Sequence, residues 1–138
     1  MKAALLNGPS DVTITDRATP ACGEGQVLVR ITHVGICGTD TKIYDGGILA
    51  NYPVVMGHEG VGEIIEGQAT DGSGPGNRVI IDPVLYCGNC FYCARGDTHL
   101  CENGGMLGRE VDGVYTENYL VPAGNVFALG DNINMTEG

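Results

Sequence analysis

Hydrophobic and polar residues alternate along most of this chain, in short runs separated by glycine and proline. These runs lie at residues 1–6, 11–17, 26–37, 53–67, 78–84 and 113–129. An alternation with a period of two predicts β-strands that are buried on one face. In the run 26–37 it places Val27, Val29 and Ile31 on one face. Strands at such short spacing, without a long helical period, predict an all-β barrel or sandwich.

One short helix is predicted after the third run, in residues 38–47 (GTDTKIYDGG). Thr39 or Asp40 is a suitable N-cap, and Gly46–Gly47 ends the helix. The dinucleotide-binding fingerprint G-x-G-x-x-G needs a strand before it and a helix after it. The nearest match, G-x-G-x-G at residues 72–76, is followed by a predicted strand. We therefore expect no Rossmann fold in this sequence.

Composition and charge exclude several classes of protein. A chain of 138 residues suffices for one domain, and 23 glycines with two phenylalanines favour a turn-rich β core. Seven basic and seventeen acidic residues give a net charge of −10, which opposes binding to nucleic acid. No apolar stretch approaches the roughly 20 residues of a membrane span, and the first residues lack the apolar segment of a signal peptide. We therefore expect a cytoplasmic protein with no nucleic-acid or membrane partner.

Four cysteines, Cys87, Cys90, Cys93 and Cys101, form a C-x2-C-x2-C-x7-C run in a loop-like stretch. Four thiolates this close in sequence match the ligand set of one tetrahedral structural zinc ion. The alternative is two disulfides, which are typical of secreted proteins. Because the first residues contain no secretion signal, we predict a structural zinc lobe at about residues 86–104.

A second candidate site combines Cys37 with His58 and Glu59, which lie in the glycine-flanked segments GICGTD and GHEG. A cysteine, a histidine and one further ligand are typical of a catalytic zinc with an open position for water or substrate. The alternative is a buried structural cysteine and a structural histidine, and the residues alone leave both interpretations open. No comparable neighbours accompany the remaining cysteine and histidine residues: Cys22, His33 and His99.

Five motifs follow one another along the chain: GICGTD, GHEGVGEI, NRVIIDP, CGNCFYC with a later cysteine, and VYTENYLVP. In order and spacing they resemble the zinc-dependent medium-chain alcohol dehydrogenases, and most closely the branch that acts on polyols, threonine and sugars. The resemblance covers essentially the whole chain. It implies a mainly β fold, a GroES-like, partly opened β-barrel with a few short helices. Residues 1–138 would be the N-terminal catalytic domain of such an enzyme.

The resemblance also implies roles for individual residues. Cys37 and His58 would be ligands of the catalytic zinc, and Glu59 would lie behind the metal and exchange in as a ligand. Asp40 would orient the His58 ring, and the Thr39 hydroxyl would pass on the proton of the substrate alcohol. The reaction would be the oxidation of a small alcohol or polyol, with hydride transfer to NAD(P).

The chain departs from the family pattern at three points. Lys42 stands where many relatives have a histidine that continues the proton relay, and Asn77 replaces the aspartate of a G-D-R-V turn. In the family, the third protein ligand of the catalytic zinc and the nucleotide-binding domain come later than Gly138. We therefore expect a truncated domain that by itself neither binds NAD(P)H nor turns over substrate. The face that meets the cofactor domain would then expose apolar groups and favour a homo-oligomer.

Two other functions are consistent with parts of this pattern. A stand-alone, zinc-stabilised GroES-like module would bind a partner or a small ligand without dehydrogenase activity. A general metal-binding or thiol-redox protein would also contain C-x-x-C pairs. Redox pairs of this type occur in a βαβ context, however, and the predicted elements of this chain do not alternate in that way.

Metal content distinguishes these interpretations. We predict one tightly held zinc ion per chain, in the four-cysteine lobe, because thiolate coordination contributes directly to folding. The Cys37–His58 site should hold zinc weakly or not at all, since one ligand of the family's set is missing. Elemental analysis after purification without chelator measures the zinc content. Two tightly bound zinc ions per chain, or none, would contradict the prediction.

Overall fold

The computed structural model describes all residues of the chain, Met1–Gly138, as short strands with two short helices. The strands are β1 (Lys2–Gly8), β2 (Asp11–Asp16), β3 (Gln26–Val34), β4 (Val54–Val55), β5 (Gly60–Gly67), β6 (Arg78–Ile81), β7 (Val84–Leu85), β8 (Gly105–Met106), β9 (Asn118–Pro122) and β10 (Val126–Ala128). The helices are α1 (Gly38–Tyr44) and α2 (Phe91–Ala94), and 3-10 turns cover Thr98–Leu100 and Ala123–Asn125. None of the helices has the length and apolar character needed to cross a membrane.

The strands form three open sheets. The largest has the order β10-β6-β5-β3-β9, the second has the order β2-β1-β4, and β7 pairs with β8. Every pair of strands is antiparallel, so the chain contains no βαβ unit of the kind that binds dinucleotides. No sheet closes on itself, and the prediction of a mainly β, partly opened architecture is confirmed.

The larger core is built from side chains of the five-stranded sheet and of the loops that cover it. Its buried members are Val27, Val29, Ile64, Ala69, Val79, Ile81, Leu107, Val114, Val121, Ala123 and Val126. Val27 and Val29 confirm the predicted inward face of β3, and Ile31 packs against the same core. Leu28 is also buried, so the alternation is not strict. Valines dominate because a β-branched side chain packs well on a pleated surface.

A smaller core fixes α1 against the three-stranded sheet. Ile43 of α1 is fully buried, and it packs with Leu6 of β1, Val54 of β4 and Met56. Burial of such side chains contributes roughly 1.5–3 kcal/mol each. Met56 leads directly into residues 57–59, so the same apolar contact that holds α1 also holds the segment that contains His58 and Glu59.

The N-cap of α1 is Cys37, and the prediction of Thr39 or Asp40 as the cap is wrong. Asp40 contributes from the third helical position: its Oδ2 accepts the Cys37 N–H at 2.9 Å. The Cys37 sulfur in turn accepts the Thr39 N–H at 3.5 Å. The pair therefore forms a capping box, with a thiol where a hydroxyl is usual. The predicted helix end is confirmed, because α1 ends at Tyr44 and Gly46 follows with a φ of 78°.

The run at residues 53–67 forms two strands, β4 and β5, with Met56–Glu59 between them. Gly57 has a φ of 90°, a conformation that favours glycine, and it turns the chain out of the sheet. The run 78–84 is divided in the same way between β6 and β7. In the run 113–129, β9 ends at Pro122, and the 3-10 turn Ala123–Asn125 separates it from β10. The break at Gly57 matters most, because it lifts two candidate ligands away from the strand ladder.

Gly62 lies where β5 approaches β3 closely, opposite Ile31. A methyl group there would overlap the Arg30 carbonyl oxygen and meet the Val29 side chain. We predict that Gly62→Ala lowers the free energy of unfolding by about 2–3 kcal/mol, because the paired backbones cannot separate without losing ladder hydrogen bonds. Gly74→Ala is the matched control, since Gly74 has open space around it, and it should change stability by less than about 0.5 kcal/mol. Urea unfolding of the zinc-loaded chain measures both, and equal midpoints for the two variants would refute the prediction.

Candidate metal centres

The four cysteines of the predicted lobe converge on one point. Their sulfur atoms all lie within 4.8 Å of one another, with Cys87 and Cys93 4.0 Å apart and Cys90 and Cys101 3.9 Å apart. All four thiols are free, and these separations are well beyond the roughly 2.05 Å of a disulfide bond. Sulfur atoms about 2.3 Å from a tetrahedral zinc ion are about 3.8 Å from one another. The cluster therefore has the size and the donor chemistry of a structural zinc site.

Local structure explains why these sulfur atoms meet. The β7–β8 pair joins the two ends of the loop, Cys90 immediately precedes α2, and Cys101 follows the 3-10 turn Thr98–Leu100. The Cys87 N–H donates to the Cys101 sulfur at 3.2 Å. Neighbouring turns thus bring the ligands together with little help from the rest of the fold.

The surroundings shift the pKa values of Cys87, Cys90 and Cys93 in different directions. The N–H groups of Cys93 and Glu102 lower the pKa of Cys90 to about 6, and that of Asn89 lowers the pKa of Cys87. Burial and the neighbouring Cys90 thiol raise the pKa of Cys93 to about 12. Four thiolates this close repel one another, so a divalent cation is what allows all four to ionise together.

The second predicted site is also brought together. Cys37 at the start of α1, and His58 and Glu59 between β4 and β5, each offer a ligand atom, and these three atoms lie within 4.8 Å of one another. His58 is buried, Cys37 is partly exposed and Glu59 is exposed. A metal with these three donors would keep a position for a further ligand. We refer to this cluster as the open site.

Two close approaches bring the turn with His58 and Glu59 to the start of α1. The Gly35 N–H donates to the Glu59 carbonyl oxygen at 2.9 Å, and the Glu59 side chain lies over Gly35, where a methyl group would collide with it. The ring of Tyr115 lies against Gly57, whose lack of a side chain leaves room for it. The open site therefore depends on contacts between parts of the chain that are distant in sequence.

Asp40 connects the helix start to His58. Its Oδ1 lies 3.3 Å from His58 Nδ1, with side chains that are 3% and 8% exposed. The pair is within hydrogen-bond distance but misaligned, and neither atom has another partner. A small rotation of the imidazole would let Nδ1–H donate to Asp40 and leave Nε2 available to a metal. A metal that draws the ring into line would thus satisfy two buried polar atoms, and the open site fits such an ion.

A cleft of about 430 Å³ opens beside the open site. It is lined by His58, Glu59, Val34, Val61, Ile80, Ile81 and residues 135–138, among others. Its volume suits a small organic ligand. His33, which the sequence presents as ordinary, is exposed and also lines the cleft. Cys37 and Thr39 lie beside each other at the start of α1 and are not among its lining residues.

Sequence reasoning missed Tyr115, whose hydroxyl lies 3.1 Å from Asp40 Oδ2 and 3.0 Å from the Gly35 carbonyl oxygen. Burial, and then the negative charge of Asp40, raise the pKa of Tyr115 well above its usual value, which keeps the hydroxyl protonated. Alternation in the run 113–129 presents this residue as an ordinary core aromatic. The only available signal is the phenol itself, which needs a partner when it is buried.

Other residues considered in the sequence lie apart from both clusters. Cys22 is half-buried, and its thiol is 3.3 Å from the Gln26 carbonyl oxygen. His99 is exposed in the 3-10 turn of the cysteine lobe, and Lys42 is exposed on α1. None of the three belongs to a group of metal-type ligands.

Comparison with known proteins gives one family. The alcohol dehydrogenase GroES-like domain matches residues 23–131. The L-threonine 3-dehydrogenase of Pyrococcus furiosus is 40% identical over 119 residues, which cover 83% of this chain and 34% of the relative. These similarities agree with the resemblance predicted from the motifs.

Solved structures agree with this match. The E. coli CFT073 rspB protein, described as a short chain alcohol dehydrogenase complexed with NADH, gives a TM-score of 0.87 at 34% identity, over 99% of this chain and 40% of that one. The cobalt- and zinc-bound thermostable alcohol dehydrogenase of Pyrobaculum aerophilum gives 0.85 at 31% identity, over 98% and 42%. The chain thus spans about two fifths of these structures, and the GroES-like fold is confirmed.

Zinc in the cysteine lobe is tested by one substitution. We predict that Cys90→Ser reduces tightly bound zinc from about one ion per chain to well below half, because three thiolates leave the tetrahedron incomplete. Residues 86–104 should then become sensitive to protease. Cys22→Ser is the matched control, since the Cys22 thiol hydrogen-bonds to backbone carbonyl oxygens and belongs to neither group of metal-type ligands. Elemental analysis and limited proteolysis check both variants, and a full zinc content in Cys90→Ser would place the tight site elsewhere.

Proposed function

Because the chain belongs to the alcohol dehydrogenase GroES-like domain family, we propose that it is the metal-binding catalytic domain of a zinc-dependent dehydrogenase. The substrate would be a small alcohol or polyol, and the hydride acceptor would be NAD(P). The observation that carries this proposal is the open site: Cys37, His58 and Glu59 lie within 4.8 Å of one another, with Asp40 behind His58 and a cleft beside them.

The two metal centres would have different tasks. In the cysteine lobe four thiolates would fill every position of the zinc, so that centre would only stabilise the fold. The open site would hold zinc through Cys37 Sγ and His58 Nε2, with Glu59 as an exchanging ligand. When bound there, zinc would act as a Lewis acid that polarises the substrate hydroxyl and favours loss of its proton.

Residues of this chain would then position the substrate and move its proton. Asp40 would hold the His58 tautomer with hydrogen on Nδ1. The Thr39 hydroxyl would receive the substrate proton; this role rests on the match of GICGTD to the family motif. A lysine ammonium donates but cannot accept, so Lys42 would not continue the relay, and the proton would pass from Thr39 to water. The apolar walls of the cleft would limit access of water to the reacting carbon.

The nicotinamide cofactor would be held by residues outside this chain. All strand pairs here are antiparallel, and a dinucleotide site of the usual kind needs parallel strands with a helix between them. We propose that NAD(P), held by a separate nucleotide-binding domain, would supply the hydride acceptor for the alcohol. The relative from P. furiosus, an L-threonine 3-dehydrogenase, makes a hydroxyl-bearing amino acid the first substrate to test.

Exposed apolar side chains lie next to the open site. Ile36, which precedes Cys37, is 79% exposed, and Val34, which lines the cleft, is 40% exposed. Such groups favour association with another protein surface. The partner that follows from the proposed function is the nucleotide-binding domain, which would cover this face. A homo-oligomer formed through the same face stays a prediction.

The open site can be tested with cobalt as a spectroscopic probe. With zinc in the cysteine lobe, added Co²⁺ should produce a thiolate-to-cobalt absorption band from Cys37, because Co²⁺ accepts the same ligands as zinc. Cys37→Ser should lose the band, and Cys22→Ser, the matched control, should keep it. Mass spectrometry verifies that zinc stays in the lobe.

A second measurement connects the site to the substrate class. Excess L-threonine or a small polyol should shift the visible bands of the bound cobalt, since the substrate hydroxyl would enter the open coordination position. Absence of a Cys37-dependent band would contradict the metal site, and a band that no alcohol shifts would contradict the substrate class.

A further inference from the structure

Tyr115 contacts the three segments that surround the open site. Its hydroxyl lies 3.0 Å from the Gly35 carbonyl oxygen, just before Cys37, and 3.1 Å from Asp40 Oδ2 in α1. Its ring lies against Gly57, the residue before His58. One side chain therefore touches both ligand-bearing segments and the carboxylate that connects them.

The fold sets the position of this hydroxyl independently of any metal. The Tyr115 N–H donates to the Met56 carbonyl oxygen at 2.9 Å, and the Tyr115 carbonyl oxygen accepts the Ala4 N–H at 2.8 Å. The neighbouring Val114 N–H donates to the Gly57 carbonyl oxygen at 3.0 Å. With the backbone held on both sides and the ring fitted to Gly57, the phenol has little freedom to move.

Building on the proposed function, we propose that Tyr115 is a positioning residue for the metal: its hydroxyl holds the Asp40 carboxylate in the orientation from which Asp40 aligns the His58 imidazole. Asp40 Oδ2 accepts the Cys37 N–H at 2.9 Å in addition to the tyrosine hydroxyl. The other oxygen, Oδ1, is left to face His58 Nδ1 at 3.3 Å. Two donors on one oxygen fix the plane of the carboxylate, whose terminal torsion is otherwise broad.

The size of the effect follows from the chemistry of the phenol. A tyrosine hydroxyl has one hydrogen, and here it faces two acceptors, Asp40 Oδ2 and the Gly35 carbonyl oxygen. Asp40 therefore shares this donor. Loss of a partner that directly orients a metal ligand weakens metal binding about 10- to 100-fold. Tyr115 acts one step further out, so loss of its hydroxyl should weaken binding by about 3- to 10-fold.

The test is Tyr115→Phe in the full chain, with zinc in the cysteine lobe. This change keeps the ring that packs on Gly57 and removes only the hydroxyl. Titration of the Cys37-dependent cobalt band should give about 3- to 10-fold weaker affinity. Before cobalt is added, NMR of the imidazole nitrogens should show a single His58 tautomer in the wild type and a mixture in the variant.

Tyr119→Phe is the matched control. The Tyr119 hydroxyl is also half-buried and donates to the Asp112 carbonyl oxygen at 2.8 Å, away from the open site. Both variants lose one buried hydrogen bond, and both should lower thermal stability to a similar degree. Tyr119→Phe should leave cobalt affinity within about twofold of the wild type and the His58 tautomer unchanged.

A double-mutant cycle with Asp40→Asn shows whether Tyr115 acts through Asp40. If it does, Tyr115→Phe should have little further effect on cobalt affinity once Asp40 is replaced. Additive losses would overturn the proposal, and so would wild-type affinity together with an unchanged tautomer in Tyr115→Phe. A wild-type chain without a Cys37-dependent band would overturn the proposed function and this inference together, whereas a normal band that ignores Tyr115 would overturn only the inference.

Discussion

The burial of one carboxylate governs the arrangement around the open site. Asp40 is only 2% exposed, and an ionised carboxylate is destabilised by several kcal/mol in such a position unless polar partners surround it. Those partners come from three parts of the chain: the Cys37 N–H, the Tyr115 hydroxyl and the nearby His58 ring. Because these partners come from separate segments, the burial of Asp40 connects the position of α1 with the segments that contain Cys37 and His58.

The capping of α1 also fixes the position of one candidate metal ligand, Cys37. Cys37 starts α1 as its N-cap, and its sulfur already accepts the Thr39 N–H. The helix is short, and it is anchored mainly through Ile43, which is fully buried with Leu6 and Met56. A ligand at the first position of an anchored helix is held far more rigidly than one in a free loop. The turn at Gly57 brings in His58, and Met56 at its start belongs to the same small core as Ile43, so both halves of the open site depend on this core.

The sequence predicts what depends on neighbouring residues and misses what depends on folded distance. The strands follow from alternation, and the four cysteines meet within one loop, so both could be read directly. The sequence points to the wrong N-cap because a cysteine is an unusual cap and because Asp40, a usual one, serves from the third helical position. Tyr115 was missed because it comes 75 residues after Asp40. A pattern with a period of two reports which face of a strand is buried, and it says nothing of the acceptor that a buried phenol will meet.

The two candidate metal centres differ in a way that would give one of them a stabilising role and the other a catalytic role. The cysteine lobe is assembled by local turns, and its four thiolate donors would leave no position for a substrate. The open site is assembled by long-range contacts, and its three donors differ in kind and in exposure. Its accuracy therefore depends on the whole fold, and any loosening of the smaller core would disturb it before it disturbed the lobe. A site with an unfilled position needs such external support, because the metal cannot impose the geometry that missing ligands would otherwise define.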